Sequence, residues 1–165
     1  MRPNVILRFR ISLALFIAGL LVSGLTAFPL LTEIRVLADW IGLGGATSPD
    51  GHAGLAYWIL TVKFGLEEIY PSHPWIAYGT DWLAFGHIAI ALFFVEPLFR
   101  PAASRPVLRA GMVACVLVVP LALICGQIRG IPFYWRLIDC SFGVLGLFPL
   151  IYCQRLLRDI GPQSD

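Results

Sequence analysis

Residues 11–31 carry no charged side chain, and this run restricts the possible folds more than any other feature of the sequence. A helix that crosses the hydrocarbon core of a bilayer needs about 20 consecutive, mostly apolar residues. Three further apolar stretches follow at 82–99, 110–128 and 137–157. Inside a bilayer every backbone polar group must be satisfied within the protein, which favours helices for such spans. The sequence therefore predicts an all-α fold, a transmembrane four-helix bundle that forms one integral membrane domain over residues 1–165.

Composition supports the same conclusion, because 58% of the 165 residues are hydrophobic and only 13% are charged. Soluble domains carry about 25% charged residues. Such a chain cannot cover a water-exposed globule, so a soluble multidomain enzyme, a disordered chain and a nucleic-acid-binding domain are excluded as classes. A formal net charge of +2 is too small to indicate a polyanionic partner. The expected partners are the lipid bilayer and another membrane protein or a second copy of the chain, with no nucleic acid.

Basic residues alternate between the two sides of the four predicted spans. Eight lie on the side of the termini, namely Arg2, Arg8, Arg10, Arg100, Arg105, Arg109, Arg155 and Arg158. Four lie on the other side, namely Arg35, Lys63, Arg129 and Arg136. Because cytoplasmic loops carry an excess of Lys and Arg, this pattern predicts that both termini and the 100–109 loop are cytoplasmic.

Residues 32–81 form a long outer segment between spans one and two, and loops of this length usually contain structure or function. Residues 32–41 are predicted to be helical, ended by the glycines that follow. Ser48 and Pro49 resemble a helix start, with serine as the cap. An amphipathic stripe at helical spacing follows, formed by Leu55, Trp58, Ile59, Val62, Leu66 and Ile69.

Three charged residues, Lys63, Glu67 and Glu68, make this second outer helix a poor membrane span. The pattern favours a helix that lies in the outer interface with its apolar face toward lipid. Two alternatives stay open, a lid packed on the outer ends of the bundle and a short re-entrant span.

Polar residues that the four spans bring to the outer side form the candidate binding set: Asp81, His87, Arg129, Arg136 and Asp139. Arg136 and Asp139 are spaced i,i+3 and can pair on one helix face. Asp81 and Asp139 are predicted to begin their helices, where the helix dipole favours carboxylates. The alternative is that these residues are caps and interfacial anchors, beside an aromatic belt. Catalytic residues remain unknown, and neither a metal nor a cofactor is expected.

The sharpest hypothesis places Arg136, Asp139 and Asp81 in one buried cluster under the outer helix, with His87 deepest. His87 lies six residues beyond Asp81, roughly 9 Å along a helix. Ionisable groups at such depth pair with one another or mark a function. For His87 the alternative is a hydrogen-bonded packing residue.

The four cysteines and the small residues of the spans are interpreted as structural residues. Cys125 and Cys140 are expected at similar depth in neighbouring spans, so a disulfide between them is conceivable, although free cysteine usually behaves as a small apolar residue. Gly19, Ser23 and Ala27 in span one, and Gly143 and Gly146 in span four, predict close helix packing.

Three strings carry a family resemblance: residues 26–30 (TAFPL), 78–83 (YGTDWL) and 129–139 (RGIPFYWRLID). Together they resemble a family of small uncharacterised bacterial integral membrane proteins with four spans. The resemblance implies a bacterial setting, and hence the inner membrane, and it brings no activity or site residue with it.

Two classes of function follow. The first is an accessory, assembly or binding subunit that contacts a partner through its outer, periplasmic-side segment. The alternative is a membrane enzyme or an oligomeric transporter that uses the outer-leaflet polar cluster of Asp81, His87, Arg136 and Asp139. Whether the chain is an enzyme is left open by the sequence.

Overall fold

A computed structural model describes residues 3–160, apart from the side chains of residues 3, 102, 103 and 160, and every regular element within this range is a helix. The elements are α1 (Pro3–Ala27), α2 (Leu30–Trp40), α3 (Gly54–Ser72), α4 (Pro74–Phe93), α5 (Val95–Phe99), a 3₁₀ turn (Pro101–Ser104), α6 (Arg105–Ile128) and α7 (Phe133–Ile160). The prediction of an all-α fold is confirmed.

Within the described residues, four helical segments are long and apolar enough to cross a membrane, as the sequence predicts. They are Asn4–Ala27, Pro74–Phe99, Arg105–Ile128 and Phe133–Asp159. Helix α3 is not among them, in keeping with the charges of its second half. The chain thus has the architecture of a multi-pass membrane protein.

Prolines set the boundaries of the first two spans, and both differ from the predicted ones. α1 ends at Ala27 rather than at residue 31. Pro29 disfavours helical backbone at the residue before it, so the chain turns and α2 begins at Leu30. α4 begins at Pro74, eight residues before the predicted start, because proline is well suited to the first helical position.

The break between α4 and α5 has a similar cause. Pro97 has no N–H to donate and its ring crowds the carbonyl of Phe93 four residues earlier. The regular helix accordingly stops at Phe93, and the Phe94 N–H donates to the Ala91 carbonyl in a tighter turn at 3.0 Å. Helix resumes over Val95–Phe99, so the second span is helical with one bend.

The chain divides into two compact bodies. The first contains the chain up to Leu20 together with residues from Ala89 onward, and the second contains Leu21–Ile88. Helices α6 and α7 form an antiparallel hairpin that is the centre of the first body.

Close contacts fix the register of this hairpin. The Cys140 thiol points to the carbonyl of Val119, at 3.9 Å, and Arg136 bonds the carbonyl of Leu123 at 3.2 Å. Val119 is therefore opposite Cys140, while Cys125 lies six residues farther along α6, about 9 Å away along the axis. The expectation that Cys125 and Cys140 share a depth is wrong, and all four cysteines are free thiols.

Glycine allows α6 and α7 to approach each other. A Cβ on Gly143 would overlap the backbone carbonyl oxygen of Cys115, and one on Gly146 would lie 3.0 Å from the Cys115 Sγ. The predicted packing role of both glycines in span four is confirmed. In span one the outcome differs, because a Cβ on Gly19 would meet nothing within 4 Å, whereas one on Gly24 would come within 3.0 Å of Ala84 and His87 in the second body.

α1 contributes its first half to the core of the first body. The side chains of Phe9 and Leu13 are fully buried. The Ser12 hydroxyl donates to the Pro149 carbonyl at 3.2 Å, and the Cys153 thiol donates to the Phe9 carbonyl at 3.6 Å. Such side-chain bonds to helix carbonyls join helices in a solvent where apolar contacts alone give little preference.

We expect Gly143→Ala to destabilise the hairpin by about 1–3 kcal/mol, because the added methyl group forces α6 and α7 apart. Thermal unfolding of the detergent-solubilised protein measures the effect. Gly19→Ala is the matched control: it adds the same methyl group to an open helical position and should be neutral or stabilising, since Ala is the better helix former. Equal melting temperatures for the two variants would contradict the close contact at Gly143.

Candidate functional site

The five residues of the candidate binding set are divided between the two bodies. Asp81 and His87 lie in α4 within the second body, and Arg136 and Asp139 lie in α7 within the first. Arg129 follows α6, also in the first body. The single cluster that the sequence suggests therefore stays a prediction.

Neither aspartate begins a helix. Because α4 starts at Pro74 and α7 at Phe133, Asp81 is the eighth residue of its helix and Asp139 the seventh. The favourable effect of a helix N-terminus on a carboxylate is confined to the first turn. The prediction that the helix dipole stabilises Asp81 and Asp139 is therefore wrong, and both carboxyl groups lie within membrane-spanning segments.

His87 is a half-buried, hydrogen-bonded residue of α4. Its Nδ1 lies 2.9 Å from the carbonyl oxygen of Leu83, one helical turn earlier. A carbonyl only accepts, so Nδ1 carries the proton and Nε2 of the neutral ring is left as an acceptor. The Cβ of His87 also packs against α1 at Gly24. A Cβ added to that glycine would lie 3.0 Å from the His87 Cβ.

Arg136 joins the two helices of the α6–α7 hairpin near its turn. One terminal N–H donates to the Leu123 carbonyl at 3.2 Å, and the guanidinium carbon lies 5.3 Å from the centre of the Phe133 ring. The aliphatic stem occupies the space beside Gly126, where a Cβ would come within 2.6 Å of the Arg136 Cγ and Cδ. The lack of a side chain at Gly126 thus makes room for the aliphatic part of Arg136.

The expected pair between Arg136 and Asp139 does not form. Ion pairs within residues 3–160 join Arg35 to Glu67 and Arg100 to Glu96. Arg136 is directed across the hairpin by the gap at Gly126 and the carbonyl of Leu123 rather than along its own helix. Its Nε is buried without an acceptor among the described residues.

Arg129 has a different setting at the end of α6. Its backbone N–H donates to the Cys125 carbonyl at 3.0 Å, which closes the last turn of the helix. The side chain is exposed. A cation beside the negative end of a helix dipole is favourable, so Arg129 acts in the structure as a terminal charge of α6. Gly130 follows with φ +70°, a left-handed conformation that turns the chain toward α7.

The outer segment folds as a hairpin of α2 and α3 with its own small core. Ile34 and Ala38 of α2 and Ile59 and Leu60 of α3 are buried. The Arg35 Nε donates to the Glu67 Oε1 at 2.7 Å, which fastens the two helices on one side. This pair joins residues 32 positions apart, and no local sequence pattern could have indicated it.

Two details of α3 differ from prediction. The helix begins at Gly54 rather than at Pro49, because the Ser48 hydroxyl accepts the Asp50 backbone N–H in a turn and Gly51 takes φ +79°. The buried positions are Ile59, Leu60 and Lys63, whereas the ends of the predicted apolar stripe, Leu55 and Ile69, are exposed.

The bounds of α2 also differ from the predicted 32–41. The helix begins at Leu30 and ends at Trp40, one residue short of the predicted end.

Lys63 is the charged residue of this hairpin that lies buried. It is only 8% exposed, and its Nζ lies 5.1 Å from the centre of the neighbouring Phe64 ring. The ammonium therefore gains a cation–π contact where solvent is restricted. In α2, partial burial raises the pKa of the Glu33 carboxyl. The hairpin thus buries the charged Lys63 and partly buries Glu33.

No group of three or more His, Cys, Asp or Glu side chains lies close enough to hold a metal ion within the part of the chain that the structure describes. Comparisons with protein-family models, curated proteins and solved structures find no match to this chain.

We expect Arg136→Ala to destabilise the detergent-solubilised protein by about 1.5–3 kcal/mol, the range of a hydrogen bond from a charged group. The substitution removes the bond to Leu123 and empties the space beside Gly126. Arg158→Ala, which removes an exposed arginine from the same helix, should leave the melting temperature unchanged. Equal melting of both variants and the wild type would show that Arg136 is an ordinary interfacial anchor.

Proposed function

We propose that this chain is an accessory, assembly or binding subunit of the bacterial inner membrane that contacts a membrane-protein partner through its outer segment. Both termini and the 100–109 loop lie in the cytoplasm, and the α2–α3 hairpin faces the periplasm. The excess of arginine on the side of the termini supports this orientation.

The α2–α3 hairpin supports the proposal because it has a buried core of its own and also exposes apolar side chains. Its core and the Arg35–Glu67 pair hold it together. Outside that core, Trp40 is 83% exposed, and Leu55 and Tyr57 are about half exposed. Exposed apolar patches rimmed by polar residues are typical of protein or membrane contact sites. Aromatic residues are enriched at the centres of protein interfaces, which favours a protein partner for Trp40.

A second candidate function has one observation in its favour. The buried Nε of Arg136 has no acceptor among the described residues, and a buried N–H that is left unpaired costs about 1–3 kcal/mol. A ligand with a carbonyl, carboxylate or phosphate oxygen would satisfy it. This supports the alternative of a membrane enzyme or oligomeric transporter that uses the outer polar cluster. A small molecule that copurifies with the wild type and is absent from Arg136→Ala, measured by native mass spectrometry, would favour this candidate.

The orientation is tested by single cysteines introduced at Asn4 and Thr47 in a background that lacks the four native cysteines. Both side chains are exposed, so a membrane-impermeant maleimide can reach each from its own side. We expect Thr47→Cys to label in intact cells and Asn4→Cys only after the inner membrane is opened. Labelling of both positions from one side would refute the four-span arrangement.

The partner is tested by purification in mild detergent followed by mass spectrometry. We expect a protein in stoichiometric amount with the wild type, and its loss with Trp40→Ala, because an exposed tryptophan at an interface is a common hot spot. Phe148→Ala is the control, since it removes a similarly exposed aromatic side chain, 65% exposed, from the membrane-spanning α7. If the partner binds both variants equally, the hairpin is not the contact surface.

A further inference from the structure

The end of the first body that carries the start of α1 is strongly basic. Contacts bring four chain segments to this end: Arg10 bonds the carbonyl of Leu98, Arg105 bonds the carbonyl of Leu157, and Cys153 bonds the carbonyl of Phe9. The arginines on these segments are Arg8, Arg10, Arg100, Arg105, Arg109, Arg155 and Arg158. The carboxylates on the same described segments are Glu96 and Asp159.

An open groove of about 320 Å³ lies at this end between α1 and α5. Its walls are Ile11 and Ala14 of α1 and Leu98 and Phe99 at the end of α5, and Arg10 lies among them. The floor is almost wholly apolar, and Phe99 is 70% exposed. A single guanidinium beside an apolar groove matches a molecule that has both an anionic group and a hydrocarbon chain.

One hydrogen bond orients the Arg10 guanidinium and leaves its other N–H groups available. Its Nε donates to the Leu98 carbonyl at 2.9 Å, which is free to accept because α5 ends one residue later. The remaining N–H groups of Arg10 have no acceptor among the described residues. A guanidinium held through Nε still presents its two terminal nitrogens, which suit bidentate binding of a phosphate.

The level of Arg10 fits a lipid headgroup. Its partner Leu98 lies at the end of the second membrane-spanning segment, Pro74–Phe99, so Arg10 is placed at the membrane boundary. The carboxylate nearest in sequence to Leu98 is Glu96, which is paired with Arg100 at 3.6 Å, and both side chains are largely exposed. Basic pockets between helices at the membrane surface bind the headgroups of anionic lipids.

We propose that the groove formed by Arg10, Ile11, Ala14, Leu98 and Phe99 binds one anionic phospholipid. The phosphate lies on the terminal nitrogens of Arg10, and the first part of an acyl chain lies along Ala14 and Phe99. This site is separate from the outer hairpin and from the partner proposed for it. It predicts a lipid that stays with the protein after extraction.

Native mass spectrometry of the detergent-solubilised protein, titrated with phosphatidylglycerol, measures the Kd. Arg10→Gln should raise the Kd about tenfold or more, because it removes charge-assisted hydrogen bonds to phosphate. Arg158→Gln removes an arginine from the same basic end and should leave the Kd unchanged. Ala14→Phe fills the groove without altering charge and should weaken binding as well. Melting temperatures without lipid show whether each variant is folded, and if Arg10→Gln is not, Ala14→Phe decides.

Two further ligands distinguish the sources of binding. Phosphatidylcholine with the same acyl chains should bind more weakly than phosphatidylglycerol, and glycerol phosphate without acyl chains should not compete. Equal Kd values for Arg10→Gln and Arg158→Gln would overturn the proposal. It would also be overturned if phosphatidylcholine bound as tightly, or if glycerol phosphate displaced the lipid completely.

Discussion

In a bilayer, apolar side chains gain little by turning from lipid toward one another, so helix association depends on close packing and on the few polar contacts that helices can share. The α6–α7 hairpin shows how this chain meets that condition. Gly143 admits the backbone of α6 at Cys115, and Gly126 admits the stem of Arg136. Because glycine has no side chain, a carbonyl can approach α7 at Gly143 and an arginine can approach α6 at Gly126.

Arg136 illustrates the consequence for polar residues. An arginine in a helix normally finds a carboxylate one turn away or extends to the interface. Here the space at Gly126 leads the side chain across the hairpin to the carbonyl of Leu123, while Asp139 stays out of reach of an ion pair. The same residue therefore joins the two helices and leaves its buried Nε without an acceptor among the described residues.

The α2–α3 hairpin of the second body and the basic end of the first body differ in chemistry. The Arg35–Glu67 pair joins α2 to α3, and their hairpin exposes apolar side chains such as Trp40. The end near Arg10 has an excess of arginine around an apolar groove. The first suits a protein surface, and the second suits an anionic lipid.

The sequence alone determined the fold class, the number of spans and the existence of a structured outer segment, because these depend on the length and polarity of continuous stretches. It also indicated the glycines of span four as packing residues. The helices begin at Pro74 and Gly54 rather than at the predicted positions, since local turn geometry overrides a hydropathy boundary. The tertiary structure alone decided the register that separates Cys125 from Cys140 and the pairing of Arg35 with Glu67. Those contacts depend on how two helices approach each other in space, and the local sequence around each residue does not predict that approach.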